Sequence, residues 1–208
     1  MYDSTKTVQE FLSATAARQP TPGGGSVSAL VGALSAALGE MVVNYSIGKK
    51  GLEAYQNELK PAAAELVRAR AMLQQLMVED QAAYQAMSAA RKLPADSAER
   101  RQQLPAAMQA CVRVPQAIAG AGVAVLDLFD RIVSFVNPYL LSDLAVAADL
   151  AMATIRCAIY SVRANLRDLS EERDREAVQA EIGKLLGRAL ALIQSVTPRV
   201  WQRYEQSA

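Results

Sequence analysis

A chain of 208 residues with no histidine has room for one ordinary domain, and it lacks both the commonest acid–base side chain and the commonest metal ligand. Its 22 lysines and arginines nearly balance 21 aspartates and glutamates, so a net charge of +1 excludes any general attraction to nucleic acid or to an anionic membrane. A 51% hydrophobic share with only 5% aromatics, and no β-branched runs bounded by turns, predicts an all-α fold, a single bundle of about six helices over residues 1–208.

Thr7 and Glu10 have capping-box spacing for a first short helix, which stops near Arg18 ahead of Pro20 and Pro22. A second helix runs from about Ser26 to Ile47. Its small residues recur at helical spacing (Ser28, Gly32, Ala36; Ala29, Ala33, Ala37), as expected of a buried central helix whose neighbours come close. No charge occurs from Gln19 to Gly39, and about 20 such residues can span a bilayer. The prolines, glycines and serines of this stretch, and Glu40 and Asn44 after it, instead fit a soluble bundle with no membrane contact.

Beyond Gly48 and Gly51 a long third helix extends to about Lys92, with Pro61 either kinking it or opening its main part. Asp96 with Glu99 is the expected cap of a fourth helix reaching about Val136. Pro105 and Pro115 are expected to bend it, and Gly120 and Gly122 to weaken it. Asn137-Pro138 reads as an N-cap and first-turn pair opening a fifth helix to about Leu169. Ser170, followed by Glu171 and Glu172, opens the sixth, and Pro198 disturbs only its end.

Cys111 and Cys157 stand alone in apolar helical contexts, which predicts buried thiols rather than a disulfide or a metal pair. The first residues include Asp3, Lys6 and Glu10 without a signal-type apolar core, so a cytoplasmic protein is expected.

Four segments depart from plain helix. In "TPGGGS", Gly23, Gly24, Gly25 and Ser26 offer unshielded N–H groups at the positive end of a helix dipole, either to hold a carboxylate or carbonyl or simply as a tight turn into a buried helix. Close approach is expected at Gly24, in a backbone conformation that alanine would strain. In "NYSIGKKG", Lys49 and Lys50 follow a helix C-terminus, where cations also merely complement the dipole. In "SFVNPYLLSDLAVAADLA", Ser142 and Asp143 open an apolar helix, and a lone carboxylate there is either partnered or faces a cavity. Asp80 in "LMVEDQAAYQAM" is similar, although Glu79 beside it suggests a solvated face.

Taken together, "PTPGGGSVSA", "IGKK", Val114-Pro115, "NPYLLSDLAVAA" and "VRANL" resemble, in order and spacing, the C-terminal family of formiminotransferase-cyclodeaminases, which includes stand-alone methenyltetrahydrofolate cyclohydrolases. The resemblance covers essentially the whole chain and implies an all-helical homodimer binding a folate beside the glycine-rich turn. It carries substrate-binding roles to Gly23, Gly24, Gly25, Ser26, Lys50, Asn137 and Ser142. Catalytic roles fall on Asp143 first and Asp80 second, as the carboxylate that takes a proton from water and steadies a cation, and on Lys49 as proton donor or partner of a folate carboxylate. Val136 departs from the family, which has glycine there, and stiffens the turn before Asn137.

No metal or redox cofactor is implied; the tetrahydrofolate derivative is the substrate. Hydrolysis of 5,10-methenyltetrahydrofolate to 10-formyltetrahydrofolate is the preferred activity, because no formiminotransferase segment accompanies the chain and "IGKK" looks most like stand-alone members. The alternatives are formimidoyltetrahydrofolate cyclodeamination with release of ammonia and a non-catalytic helical scaffold dimer.

Overall fold

The computed structural model describes residues 1–169 and 171–207. Six α-helices follow one another among them: α1 (Val8–Ala16), α2 (Gly24–Asn44), α3 (Gln56–Lys92), α4 (Ala98–Ile132), α5 (Leu141–Leu166) and α6 (Glu172–Ser207). Short 3₁₀ turns at Glu53–Tyr55 and Pro138–Leu140 lead into α3 and α5, and no strand occurs among the described residues. The six expected helices are all present; their boundaries differ in instructive ways.

The capping box of α1 forms as expected, with the Glu10 carboxylate accepting from the Thr7 amide at 2.7 Å and the Glu10 amide donating to the Thr7 hydroxyl at 3.2 Å. Ser97, not Asp96, caps α4, its hydroxyl accepting from the Arg100 amide at 3.1 Å. A single helix runs through Pro105, Pro115, Gly120 and Gly122, because α3 and α5 pack along α4 and outweigh the local penalties. Asn137 is a cap, but of the 3₁₀ turn that precedes α5. Ser170, the expected opening of α6, lies outside the described residues.

Packing sets the order of the bundle. α2 runs antiparallel to α3, with Glu40 paired to Arg70 at 3.0 Å, and antiparallel to α5, where the Ser35 hydroxyl donates to the Ala147 carbonyl at 2.7 Å. α4 lies behind them. A Cβ at Gly39 would stand 2.6 Å from Cζ of the fully buried Phe129, so only glycine lets α2 and α4 approach this closely. Leu59, Leu66 and Leu73 of α3 are wholly buried in the shared core, each contributing about 1.5–3 kcal/mol. α6 closes the back of the bundle, held to α4 by Asp127–Arg188 and Asp130–Arg199 and by Arg203, which donates to the Val133 and Val136 carbonyls.

The expectation of a buried α2 holds on three sides only. On the fourth, Val27, Val31, Leu34, Leu38, Met41 and Tyr45 form one helical row facing outward, and Leu34 is 53% exposed. α2, α4 and the stretch Pro138–Leu166 are each long and apolar enough to cross a bilayer, and about half of each apolar window is buried inside the bundle.

Candidate active site

Gly25 and Asp80 define the site. The antiparallel contact of α2 and α3 presses the Asp80 carboxylate against the first turn of α2, where the Ser26 hydroxyl donates to Oδ2 at 2.7 Å and the Ser26 amide donates as well. A Cβ on Gly25 would lie 2.5 Å from Cγ of Asp80 and closer still to Oδ1. The negative group that meets the positive end of α2 is therefore supplied by the chain itself.

This corrects the expectation for Gly24. Its added Cβ would find only the Ser161 hydroxyl, at 3.8 Å, and none of the three glycines has a positive φ; Gly23 is extended and Gly24 and Gly25 are helical. The residue that must be glycine is Gly25, and what approaches it is Asp80.

A cavity of about 280 Å³ opens over this contact, lined by the three glycines, Asp80, Tyr84, Cys111, Ser161 and Asn165 among others. Burial pushes the Asp80 carboxyl above the usual carboxylate range, and the two Ser26 hydrogen bonds only partly offset this. Such a carboxylate is a stronger base than a solvated one, beside a space large enough for part of a small molecule. Glu79 is exposed and accepts from Gln75, so the solvated face suggested by the Glu79-Asp80 pair belongs to Glu79 alone.

Sequence reasoning missed Tyr84, Ser161 and Asn165. Tyr84 follows Asp80 by one helical turn, and Ser161 and Asn165 share a row of α5, so the signal existed once α2, α3 and α5 were known to adjoin. Asn165 also donates to the Cys111 carbonyl at 2.8 Å, tying α5 to α4. Both cysteines are free, but neither is buried as expected: Cys111 lines the cavity half-buried, and Cys157 is exposed on the open face. Burial first, and then the nearby Asp80 carboxylate, push the Cys111 thiol up.

The remaining expected residues gather at the opposite end of the bundle. Lys49 lies 5.1 Å from the ring centre of Tyr139, a cation–π contact, and Ser142 and Asp143 begin α5 nearby. Lys50 is exposed. Asn137 is buried and spends its groups on the fold: its amide donates to the Ser46 hydroxyl at 2.8 Å and its side-chain oxygen accepts from the Tyr139 amide at 3.2 Å. Val136 sits fully buried in the core without dislodging this cap. Asp143 lies on the same row of α5 as Ser161 but five turns, about 27 Å, earlier. Within one protomer, then, the glycine turn, Ser26 and Asp80 come together, and Lys49, Lys50, Asn137, Ser142 and Asp143 do not join them.

The model of the family described as formiminotransferase-cyclodeaminase matches residues 7–184. The chain belongs to that family. A methenyltetrahydrofolate cyclohydrolase of Methylorubrum extorquens is 32% identical over 191 residues, covering 90% of this chain and 92% of that protein. The formimidoyltransferase-cyclodeaminase of Gallus gallus is 31% identical over 192 residues, 89% of this chain but 35% of the relative, so the chain spans about a third of the bifunctional animal protein. The crystal structure of a formiminotetrahydrofolate cyclodeaminase from Thermotoga maritima superposes with a TM-score of 0.86 at 29% identity, covering 97% of this chain and 96% of that one. The similarity to the formiminotransferase-cyclodeaminase family seen in the sequence is thus borne out along nearly its full length.

Proposed function

We propose that this chain is a folate one-carbon enzyme that hydrolyses 5,10-methenyltetrahydrofolate to 10-formyltetrahydrofolate. The observation that carries the reading is the Asp80 carboxylate, fastened by Ser26 against Gly25, more basic than a solvated carboxylate and facing a cavity in a cyclohydrolase-like chain. In the substrate a single carbon bridges two nitrogens and shares their positive charge, so it accepts water directly.

Asp80 takes one proton as the water oxygen bonds to that carbon. Collapse of the adduct breaks the carbon–N5 bond, the hydroxyl proton is released as its oxygen becomes the formyl carbonyl, N5 gains a proton, and the formyl group stays on N10. Of the two water protons, one is returned to N5 and one goes to solvent. The negative charge of Asp80 also favours the cationic reactant inside a half-buried site. No metal or redox cofactor enters this balance. Two free thiols suit a reducing, cytoplasmic compartment, and the open apolar row of α2 suits a homodimer.

A second reading is supported by the similarity to the Thermotoga cyclodeaminase, in which N10 would attack a formimino carbon on N5 and ammonia would leave. The purified protein offered each folate in turn separates the two. Loss of the methenyl absorbance from 5,10-methenyltetrahydrofolate supports hydrolysis, and its appearance from 5-formimidoyltetrahydrofolate supports deamination. Silence with both substrates overturns the enzymatic reading.

A further inference from the structure

We infer that Pro115 and Asn165 work as a pair to fix a second hydrogen-bond acceptor, the side-chain oxygen Oδ1 of Asn165, in the wall of the Asp80 cavity, where it receives an N–H of the bound reduced pterin. The identity of the ligand rests on the folate reading; the pairing of Pro115 with Asn165 does not.

A proline has no N–H, so inside an α-helix it leaves the carbonyl four residues earlier without its donor. Four helix prolines occur among the described residues: Pro61 in α3, Pro105 and Pro115 in α4, and Pro198 in α6. Pro61, Pro105 and Pro198 are exposed, as are Asn57, Arg101 and Gln194, the residues whose carbonyls they free, so solvent can meet those groups. Pro115 differs. It is buried, and the carbonyl it frees belongs to Cys111, in the wall of the cavity. That same carbonyl accepts from the Asn165 amide nitrogen, reaching across from α5 at 2.8 Å. The side chain on α5 replaces the donor that proline removed from α4.

Hydrogen-bond chemistry then fixes which end of the amide goes where. Only the NH2 end of an asparagine can donate to a carbonyl, so Nδ2 is committed to Cys111 and Oδ1 is left over as a bare acceptor. None of the described residues donates to it. No buried side-chain oxygen among the described residues lacks a partner, so Oδ1, which has none, is open to solvent, and the space that the half-buried Asn165 lines is the Asp80 cavity.

The cavity therefore carries two acceptors on different helices, the Asp80 carboxylate of α3 and Asn165 Oδ1 of α5, each fastened from behind by a second residue. Such a site selects a ligand whose edge carries N–H groups. A reduced pterin carries them on its ring and its amino group, whereas the carbon bridging N5 and N10 offers none, so Asn165 holds the ring while Asp80 serves the reacting carbon. Asn165 is then a substrate-binding residue, and Pro115 is a positioning residue that acts through it.

Two double-mutant cycles on wild type, Pro115→Ala, Asn165→Ala and the double variant test the two halves separately. The first is read by thermal unfolding and needs no folate. Asn165→Ala strands the Cys111 carbonyl and lowers Tm in the native background, whereas Pro115→Ala gives that carbonyl a helical N–H of its own, so the same substitution is expected to lower Tm much less there. Asn165→Asp, which keeps the shape but has no donor for Cys111, is expected to lose as much as Asn165→Ala. Equal falls in the two backgrounds, or a wild-type Tm for Asn165→Asp at neutral pH, overturn the pairing.

The second cycle is read by steady-state kinetics on 5,10-methenyltetrahydrofolate. Asn165→Ala is expected to raise KM about tenfold, the worth of one hydrogen bond, with kcat little changed, the reverse of the loss expected when the base itself is replaced. Pro115→Ala keeps Asn165 but releases its amide, so it is expected to raise KM as well and to add nothing on top of Asn165→Ala. A KM unmoved by either substitution, or losses that add in the double variant, overturn the role given to Oδ1. A wild-type protein inactive on both folates overturns the ligand assignment, and the unfolding cycle still decides the pairing.

Discussion

Gly25 and Asp80 are in direct contact, and the absence of a side chain at one is the condition for the position of the other. Gly25→Ala forces the carboxylate out of its place between the Ser26 hydroxyl and the first turn of α2. Overpacking of this kind costs about 1–3 kcal/mol, and the displaced base lowers turnover with it. Gly24→Ala, whose Cβ meets only Ser161 at an ordinary 3.8 Å, leaves the urea midpoint nearly unchanged. Equal losses of stability in the two variants would contradict the contact.

The raised proton affinity of Asp80 has a thermodynamic signature. From the ordinary value of 3.8 upward, the unfolded chain releases this proton before the folded one does, so ionisation of Asp80 lowers stability as pH rises toward its folded pKa. Above that value the deficit is constant, and below 3.8 it is absent. Urea unfolding of wild type and Asp80→Asn across acid to neutral pH is expected to show wild type losing stability relative to the variant over that window. A difference that does not vary with pH would mean that burial does not act on this group.

At the other end of the bundle, Ser46 is the joint between α2 and the turn into α5. Its buried hydroxyl donates to the Val42 carbonyl at 2.7 Å and accepts from the Asn137 amide at 2.8 Å. Ser46→Ala strands that amide, and an unsatisfied buried donor costs about 1–3 kcal/mol. Thermal unfolding measures it; a neutral substitution would show that the α2–α5 turn is held by other groups.

Leu34→Asp puts a carboxylate in the middle of the outward apolar row of α2, the face that suits a homodimer. Because Leu34 is 53% exposed in the protomer, the fold is expected to persist by circular dichroism while the dimer dissociates and turnover falls with it. A dimeric, fully active Leu34→Asp protein would place the interface elsewhere.

Much of this fold is legible because helix starts are written locally: Thr7 with Glu10, and Asn137 with Pro138, act within a few residues of themselves. α4 is less so, since its passage through Pro105 and Pro115 depends on helices packed along it from distant parts of the chain. The site divides in the same way. The glycine turn, the lysine pair and the Ser142-Asp143 pair stand out as departures from helical pattern. The bond that gives the turn its purpose joins Ser26 to a residue 54 positions away, and no spacing rule announces it. Asp143 stands out in the sequence as a carboxylate in apolar helix, whereas Asp80 is masked by its neighbour Glu79, although the protomer brings only Asp80 to the glycines.

The most direct measurement is the steady-state hydrolysis of 5,10-methenyltetrahydrofolate by wild type and Asp80→Asn, followed by loss of the methenyl absorbance. A general base contributes about 10²–10⁴-fold. A fall in kcat of that order with KM little changed is expected, because Asn keeps the shape and the Ser26 contact but cannot take the proton. A kcat within twofold of wild type, with the variant folded, would contradict the assignment of Asp80 as the base.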